Sequence, residues 1–181
     1  MISVPVAGKY EYAIFSHVEG RGTNGGTAPA NAWVTRKLNV EQYAKKKRDW
    51  ARLADNQIEL EPGNYYVKAM AYAYNVGHHK LRFRRMDNGG ETVITGLNAF
   101  SRRNDDNIAD IAHLVGIITV ETTAKYQLQH IFQHEQAGTG MGGNCDIAKN
   151  NDEDELYTAV EIIRFTERNK KVDEEDDSQE S

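Results

Sequence analysis

From Asp55 to Phe83 the chain reads DNQIELEPGNYYVKAMAYAYNVGHHKLRF. Ile58 and Leu60 alternate with polar neighbours, and Pro62-Gly63 then interrupts the run, as these residues do at turns. From Tyr65 to Tyr74 the odd positions are Tyr65, Val67, Ala69, Ala71 and Ala73; the even ones are Tyr66, Lys68, Met70, Tyr72 and Tyr74. A strand sends these two sets to opposite faces. The odd set is mainly small and apolar, suited to packing on a second sheet. The even set is mostly aromatic, and a large apolar patch facing water usually marks an interface. The pattern predicts a central strand buried on both sides, its second cover supplied by another copy of the protein. The alternative cover is a helix or loop of the same chain.

The same alternation predicts strands at Lys9–Phe15, Trp33–Leu38, Thr92–Leu97, Tyr126–Phe132 and Leu156–Phe165. Leu114–Val120 (LVGIITV) is apolar on both faces and is expected to be a buried strand. Gly20–Ala30, Asn98–Asp110 and Gly138–Asp154 read as loops, and Met86–Glu91 (MDNGGE) as a hairpin turn. One helix is expected near 40–54, with Asn39 as its cap and Gln42 completing a capping box. About eight antiparallel strands without regular helix alternation indicate an all-β sandwich or barrel. A nucleotide-binding α/β sheet is not expected.

Residues 171–181 change the meaning of the net charge. This segment holds one Lys and six acids, so it accounts for the chain's whole charge of −5 and leaves the rest neutral. It has the composition of a solvated, flexible acidic tail, beside a single domain at 1–170. A neutral body whose one basic cluster is Lys45–Arg48 argues against nucleic-acid binding. No apolar run is long enough to span a membrane, and MISVPVAG lacks the character of a leader. Synthesis in the cytoplasm is therefore expected. Cys145, the single cysteine, has no partner within the chain for a disulfide or a cysteine zinc site.

No constellation for catalysis stands out. GTGMGG at Gly138–Gly143 fits GxGxxG, but a strongly acidic stretch follows where a helix is required. His130 and His134 have helical zinc spacing, yet they lie on a predicted strand, roughly 13 Å apart. His130 is therefore expected to be a hydrogen-bonded core or interface residue. His78-His79 would need ligands from a second copy to hold a metal. Asp152–Glu155 lacks the spaced ligands of a calcium loop, and GxSxG is absent. Catalytic residues, metal and cofactor are all expected to be absent. A carbohydrate-active or metal-assisted enzyme using His78 or His130 is the weakest reading.

WVTRKLN at Trp33–Asn39, NQIELEPGNYYVKAMAYAYNVGHHKLRF at Asn56–Phe83 and TVITG at Thr92–Gly96 carry a family resemblance. With YQLQH at Tyr126–His130 and ELYTAVEI at Glu155–Ile162, they resemble small β domains of bacteriophage structural proteins. These domains are similar to the jelly roll of tumour necrosis factor and the complement globular heads, so the resemblance implies a jelly-roll homotrimer. Tyr66, Met70, Tyr72 and Tyr74 would then line the threefold contact, since aromatic and Met residues are enriched at interfaces. Lys45–Arg52 looks like an insertion relative to the family pattern. The implied function is a virion protein on the particle exterior, as capsid decoration bound to the major capsid protein. The alternative is a tail-fibre or tail-tip adhesin that binds a host surface glycan or protein through its loops.

Overall fold

The computed structural model of the protein describes residues 9–43, 49–87, 89–101, 108–145 and 153–166. Twelve strands, β1 to β12 in chain order, lie in two sheets. One sheet runs β10 (Ala109–Val120), β6 (Gly63–Tyr74), β12 (Glu155–Thr166), β1 (Lys9–Glu19) and β3 (Val40–Tyr43). The other runs β4 (Ala51–Ala54), β5 (Gln57–Leu60), β11 (Ala124–Phe132), β7 (Gly77–Arg85) and β8 (Glu91–Thr95). β2 (Trp33–Thr35) adds to β11 of this second sheet, and β9 (Ala99–Ser101) to β7, giving seven strands. All these strand pairings are antiparallel. The all-β sandwich is as expected.

The core forms where the inner faces meet. β6 contributes Tyr65, Val67, Ala69, Ala71 and Ala73, all buried, as its alternation predicts. Phe15, Leu114, Val160 and Ile162 flank them, and Ile58, Leu60, Leu81, Phe83 and Leu128 face them from the other sheet. The Phe83 and Tyr126 rings stack with centroids 5.0 Å apart, and Trp50 stacks on Tyr65 at 5.8 Å. The Tyr65 hydroxyl donates to the Glu61 carbonyl at 2.7 Å, and burial pushes its pKa up to about 12.

Three expectations need correction. The helix near 40–54 is replaced by strands β3 and β4, with residues 44–48 outside the described residues. Asn39 does not cap a helix; its side chain accepts from Val18 N at 2.9 Å and donates to Val18 O at 2.7 Å. That bond pair ties the incoming chain beside β1, where Val40 to Tyr43 extend its sheet. Secondly, about eight strands were expected, whereas twelve are present among the described residues. The additional ones are the three- and four-residue strands β3, β4 and β9, too short for a periodicity to register, whereas β2 falls within the expected strand Trp33–Leu38. β9 and the start of β10 also fall inside the stretch expected to be the loop Asn98–Asp110. Thirdly, Leu114–Val120 is not buried on both faces in the single chain: Val115 is 56% and Ile117 69% exposed.

Arg36 lies between the sheets and is fully buried. Its guanidinium donates to Thr158 Oγ1 (2.9 Å) and to the carbonyls of Met141 (2.8 Å) and Tyr157 (3.3 Å). A longer bond reaches Tyr72 O at 3.5 Å. Thr158, Tyr157 and Tyr72 belong to the five-stranded sheet, whereas Arg36 follows β2, and its backbone N donates to Leu128 O on β11. The side chain thus fastens one sheet to the other. Burial lowers its pKa to about 9, which keeps it charged at neutral pH.

Candidate assembly interface

The outer face of the five-stranded sheet follows from alternation in four long strands. β6 presents Tyr66, Lys68, Met70, Tyr72 and Tyr74, all half-buried. In register beside them, β10 sets Ile117 against Tyr66, Val115 against Lys68, His113 against Met70 and Ile111 against Tyr72. On the other flank β12 sets Ile163 against Tyr66, Glu161 against Lys68 and Ala159 against Met70. β1 adds Tyr10 opposite Phe165 and Tyr12 opposite Ile163.

This face is rich in large apolar groups open to solvent. Tyr10, Ile111, Val115, Ile117, Leu156 and Phe165 are each between 41% and 69% exposed. They surround two hollows. One, of about 510 Å³, is lined by Tyr10, Tyr12, Tyr66, Glu161, Ile163 and Phe165. The other, of about 160 Å³, has Met70, Tyr72, Ile111, Leu156 and Ala159 among its walls. Among the described residues, one ion pair, Lys68 to Glu161 at 3.6 Å, crosses the middle. Burial pushes the Tyr12 hydroxyl up, helped by the neighbouring Glu161 carboxylate, and burial does the same to Tyr72.

All four residues expected at a threefold contact fall on this face. Tyr66, Met70 and Tyr72 lie within it; Tyr74 stands at its end, where its backbone NH donates to Gly140 O at 3.1 Å. The sequence reading missed Tyr10, Tyr12, Ile111, Val115, Ile117, Ile163 and Phe165. The signal was present in the two-faced apolar run of Leu114–Val120 and the paired tyrosines of β1. Among the described residues, the stretch after Asn39, the alternative cover, does not lie over the face. Its described parts form the edge strand β3 and the distant β4.

The other candidate groups lie elsewhere. His79 Nδ1 and His130 Nε2 are 3.0 Å apart in the interior, with Asp110 3.9 Å from His79. Burial lowers the His79 pKa to about 4 and drives that of His130 down, with Arg36 adding to both shifts. Both rings are therefore neutral at pH 7. His78 is exposed and packs on Phe100, ring centroids 4.7 Å apart. Among the described residues, no three His, Cys, Asp or Glu side chains gather as a metal site. Glu155 accepts backbone bonds from Gly22 (3.3 Å) and Cys145 (3.0 Å), while Asp152 is outside the described residues. Two glycines of GTGMGG serve packing: a Cβ on Gly142 would stand 2.0 Å from the Tyr157 ring, and one on Gly140 2.5 Å from the Ala28 Cβ.

No family model matches the chain, and no curated protein does. Solved structures do. Murine APRIL superposes with a TM-score of 0.53 at 8% identity, over 87% of this chain and 100% of that one. Eiger TNF from S. frugiperda gives 0.51 at 13% identity, over 95% and 99%. The fold is a tumour necrosis factor-like jelly roll. At such low identity the likeness concerns the fold alone and carries nothing about source.

Proposed function

We propose that this protein is a bacteriophage virion structural protein, a homotrimer on the particle exterior that decorates and reinforces the capsid. The observation that supports self-assembly is the outer face of the five-stranded sheet. Its aromatic and aliphatic side chains stand exposed around Tyr66 and Met70, and no described segment of the chain covers them. Burying such groups contributes about 25 cal/mol per Å² removed from water. A jelly roll similar to that of tumour necrosis factor supports the threefold arrangement. The virion role rests on the sequence resemblance running from Trp33 to Phe165.

In this reading the protein binds rather than catalyses. A trimer seated over several capsid subunits opposes their separation, because loosening any one subunit must also break its contact with the trimer. Sedimentation equilibrium tests the assembly: a mass of three chains is expected, and a single 20.4 kDa chain at micromolar concentration would overturn it. Quantitative mass spectrometry of purified particles tests the location, with hundreds of copies expected beside the major capsid protein. Particles lacking the protein are expected to assemble but to rupture at lower temperature or on osmotic shock.

A second reading, the tail adhesin, is favoured by a different feature. A hollow of about 470 Å³ is lined by Asn31, His78, Lys80, Asn98, Phe132 and Gln133 among others, with exposed Phe100 packed on His78. Polar groups around an aromatic floor suit a host surface glycan. A few copies per particle, in multiples of three, together with loss of adsorption on deletion, would favour it over decoration.

A further inference from the structure

The outer face of the seven-stranded sheet is basic. Lys80, Arg82 and Arg84 occupy it at two-residue spacing along β7, a row of roughly 13 Å. Lys125 stands on neighbouring β11 and Arg52 on β4. Among the described residues of its strands, Glu59, opposite both Lys125 and Arg52, is the one carboxylate that alternation places on this face. Arg82 and Arg84 are held in place by groups other than acids. The Arg82 guanidinium lies 4.1 Å from the centre of the Trp33 ring and its Nε donates to Gln129 Oε1 at 2.8 Å. Arg84 donates to the carbonyls of Gly89 and Gly90 at 3.3 and 3.4 Å. Arg52 has Asp49 at 3.6 Å, on an exposed turn.

We propose that residues 171–181, KVDEEDDSQES, dock on this face of their own chain and shield it from other polyanions. Charge complementarity is the first argument: six carboxylates in eleven residues meet five cations that have Glu59 on the face and Asp49 on the adjoining turn beside them. The place where the segment departs is the second. β12 brings the chain to Thr166 at the end of the sandwich where Phe165 pairs with Asn64, and Asn64 with Thr119. The β10–β11 connection lies at that same end, touched by Arg85 through Thr122 at 3.4 Å. Lys125 and Arg84 are thus at the near end of the basic row. Five residues from Thr166 to Lys171 reach about 17 Å, more than the ~10 Å between packed sheets. The following ten suffice to run along β7. Tethering makes the segment a competitor at an effective concentration near the millimolar range, and salt weakens it.

The test compares the full chain with a variant stopped at Lys170, using backbone amide chemical shifts and binding of poly-glutamate as the probe. Removing 171–181 is expected to shift the amides of Lys80, Arg82, Arg84 and Lys125 and to leave Tyr66 and Ile117 unmoved. It should also tighten poly-glutamate binding at least about tenfold at low salt, with the difference gone in 0.5 M NaCl. In the full-length chain, Lys80→Ser with Lys125→Ser should release the 171–181 amides toward free-peptide shifts. Unmoved β7 and β11 amides would overturn the proposal. So would equal affinity of both chains for poly-glutamate, which would mark the face as open to external polyanions instead.

Discussion

The two outer faces of this sandwich are built by the same alternation and have opposite chemistry. On the five-stranded sheet the outward positions are Tyr10, Tyr12, Tyr66, Met70, Tyr72, Val115, Ile117, Ile163 and Phe165, with one ion pair among them. On the seven-stranded sheet they include Lys80, Arg82, Arg84, Lys125, Arg52, Glu59, Gln127 and Thr95, with Trp33 and Phe100 as the aromatic members. Both sheets bury their inward residues equally well, so the difference is not needed for folding. A face of polar and charged groups tolerates water as it stands. A face of tyrosines and branched aliphatics loses free energy there, which is recovered only when something dry covers it. The difference therefore separates a surface that gains by being covered from one that is at ease in water.

The strongest way to break this comparison is to make the faces alike. Tyr66→Glu with Ile117→Glu places two carboxylates on the apolar face while leaving the interior untouched, since Ile117 is 69% exposed in the single chain. Burying them without partners costs on the order of 6 kcal/mol at each contact. Sedimentation should then show one chain instead of three, with near-unchanged unfolding of the monomer. The mirror substitution, Thr95→Glu on the opposite face, should leave the mass unaltered. A trimer that survives the first change would refute the assembly surface.

Both faces depend on one interior fastening, so removing Arg36 should damage them together. Arg36→Met leaves the Thr158 hydroxyl and the carbonyls of Tyr72, Met141 and Tyr157 without their buried donor. A loss of about 4 kcal/mol is expected in denaturant unfolding. Arg36→Lys should rescue little, because a single ammonium cannot serve acceptors spread around a planar fork.

Acid attacks the same region more gently. His79 has a pKa of about 4 when folded, against an ordinary value near 6.5, and that of His130 is lowered as well. Between those values the unfolded chain binds more protons, so stability falls as pH drops from about 6.5 to about 4. His79 alone accounts for roughly 3 kcal/mol of that fall. Asp110 opposes the shift, while Arg36 and His78 reinforce it. His79→Gln should flatten the pH profile of the denaturation midpoint; an unchanged profile would show that this ring does not carry the effect.

The residues that carried the family resemblance turn out to be the ones the fold requires. Trp33 stacks on Arg82, Arg36 fastens the sheets, Leu38 is buried and Asn39 clasps the backbone of Val18. Asn56 sits at φ +60° and accepts from Leu38 N at 2.9 Å; Ile58 and Leu60 fill the core; His79 pairs with His130. Sandwich class and central strand were legible because each reflects alternation over many residues. The β3–β4 region was not, because Val40, Tyr43, Trp50 and Ala54 are spaced to satisfy a helix as well as two short strands. A pattern made of fold-determining residues reports the fold and says little about the partner. That is why half the apolar face escaped notice: its members on β1, β10 and β12 are distant in sequence and meet only through strand order.

The finest test uses two ion pairs that look alike in the single chain. Lys68–Glu161 spans 3.6 Å with side chains 43% and 29% exposed; Arg85–Asp87 spans 3.2 Å with 29% and 35%. As surface pairs, each contributes no more than about 1 kcal/mol. They differ in what surrounds them: Tyr12, Tyr66, Met70 and Val115 neighbour the first on the apolar face, whereas the second stands at the turn joining β7 to β8. Assembly would strip water from the first pair alone and leave any uncompensated Lys68 buried. Glu161→Gln should accordingly cost about 2 kcal/mol of association free energy, near a thirtyfold weaker trimer. Asp87→Asn should cost under about 0.5 kcal/mol and leave association unchanged. Equal effects from the two substitutions would mean that both pairs stay wet, and that the apolar face is covered somewhere other than at its centre.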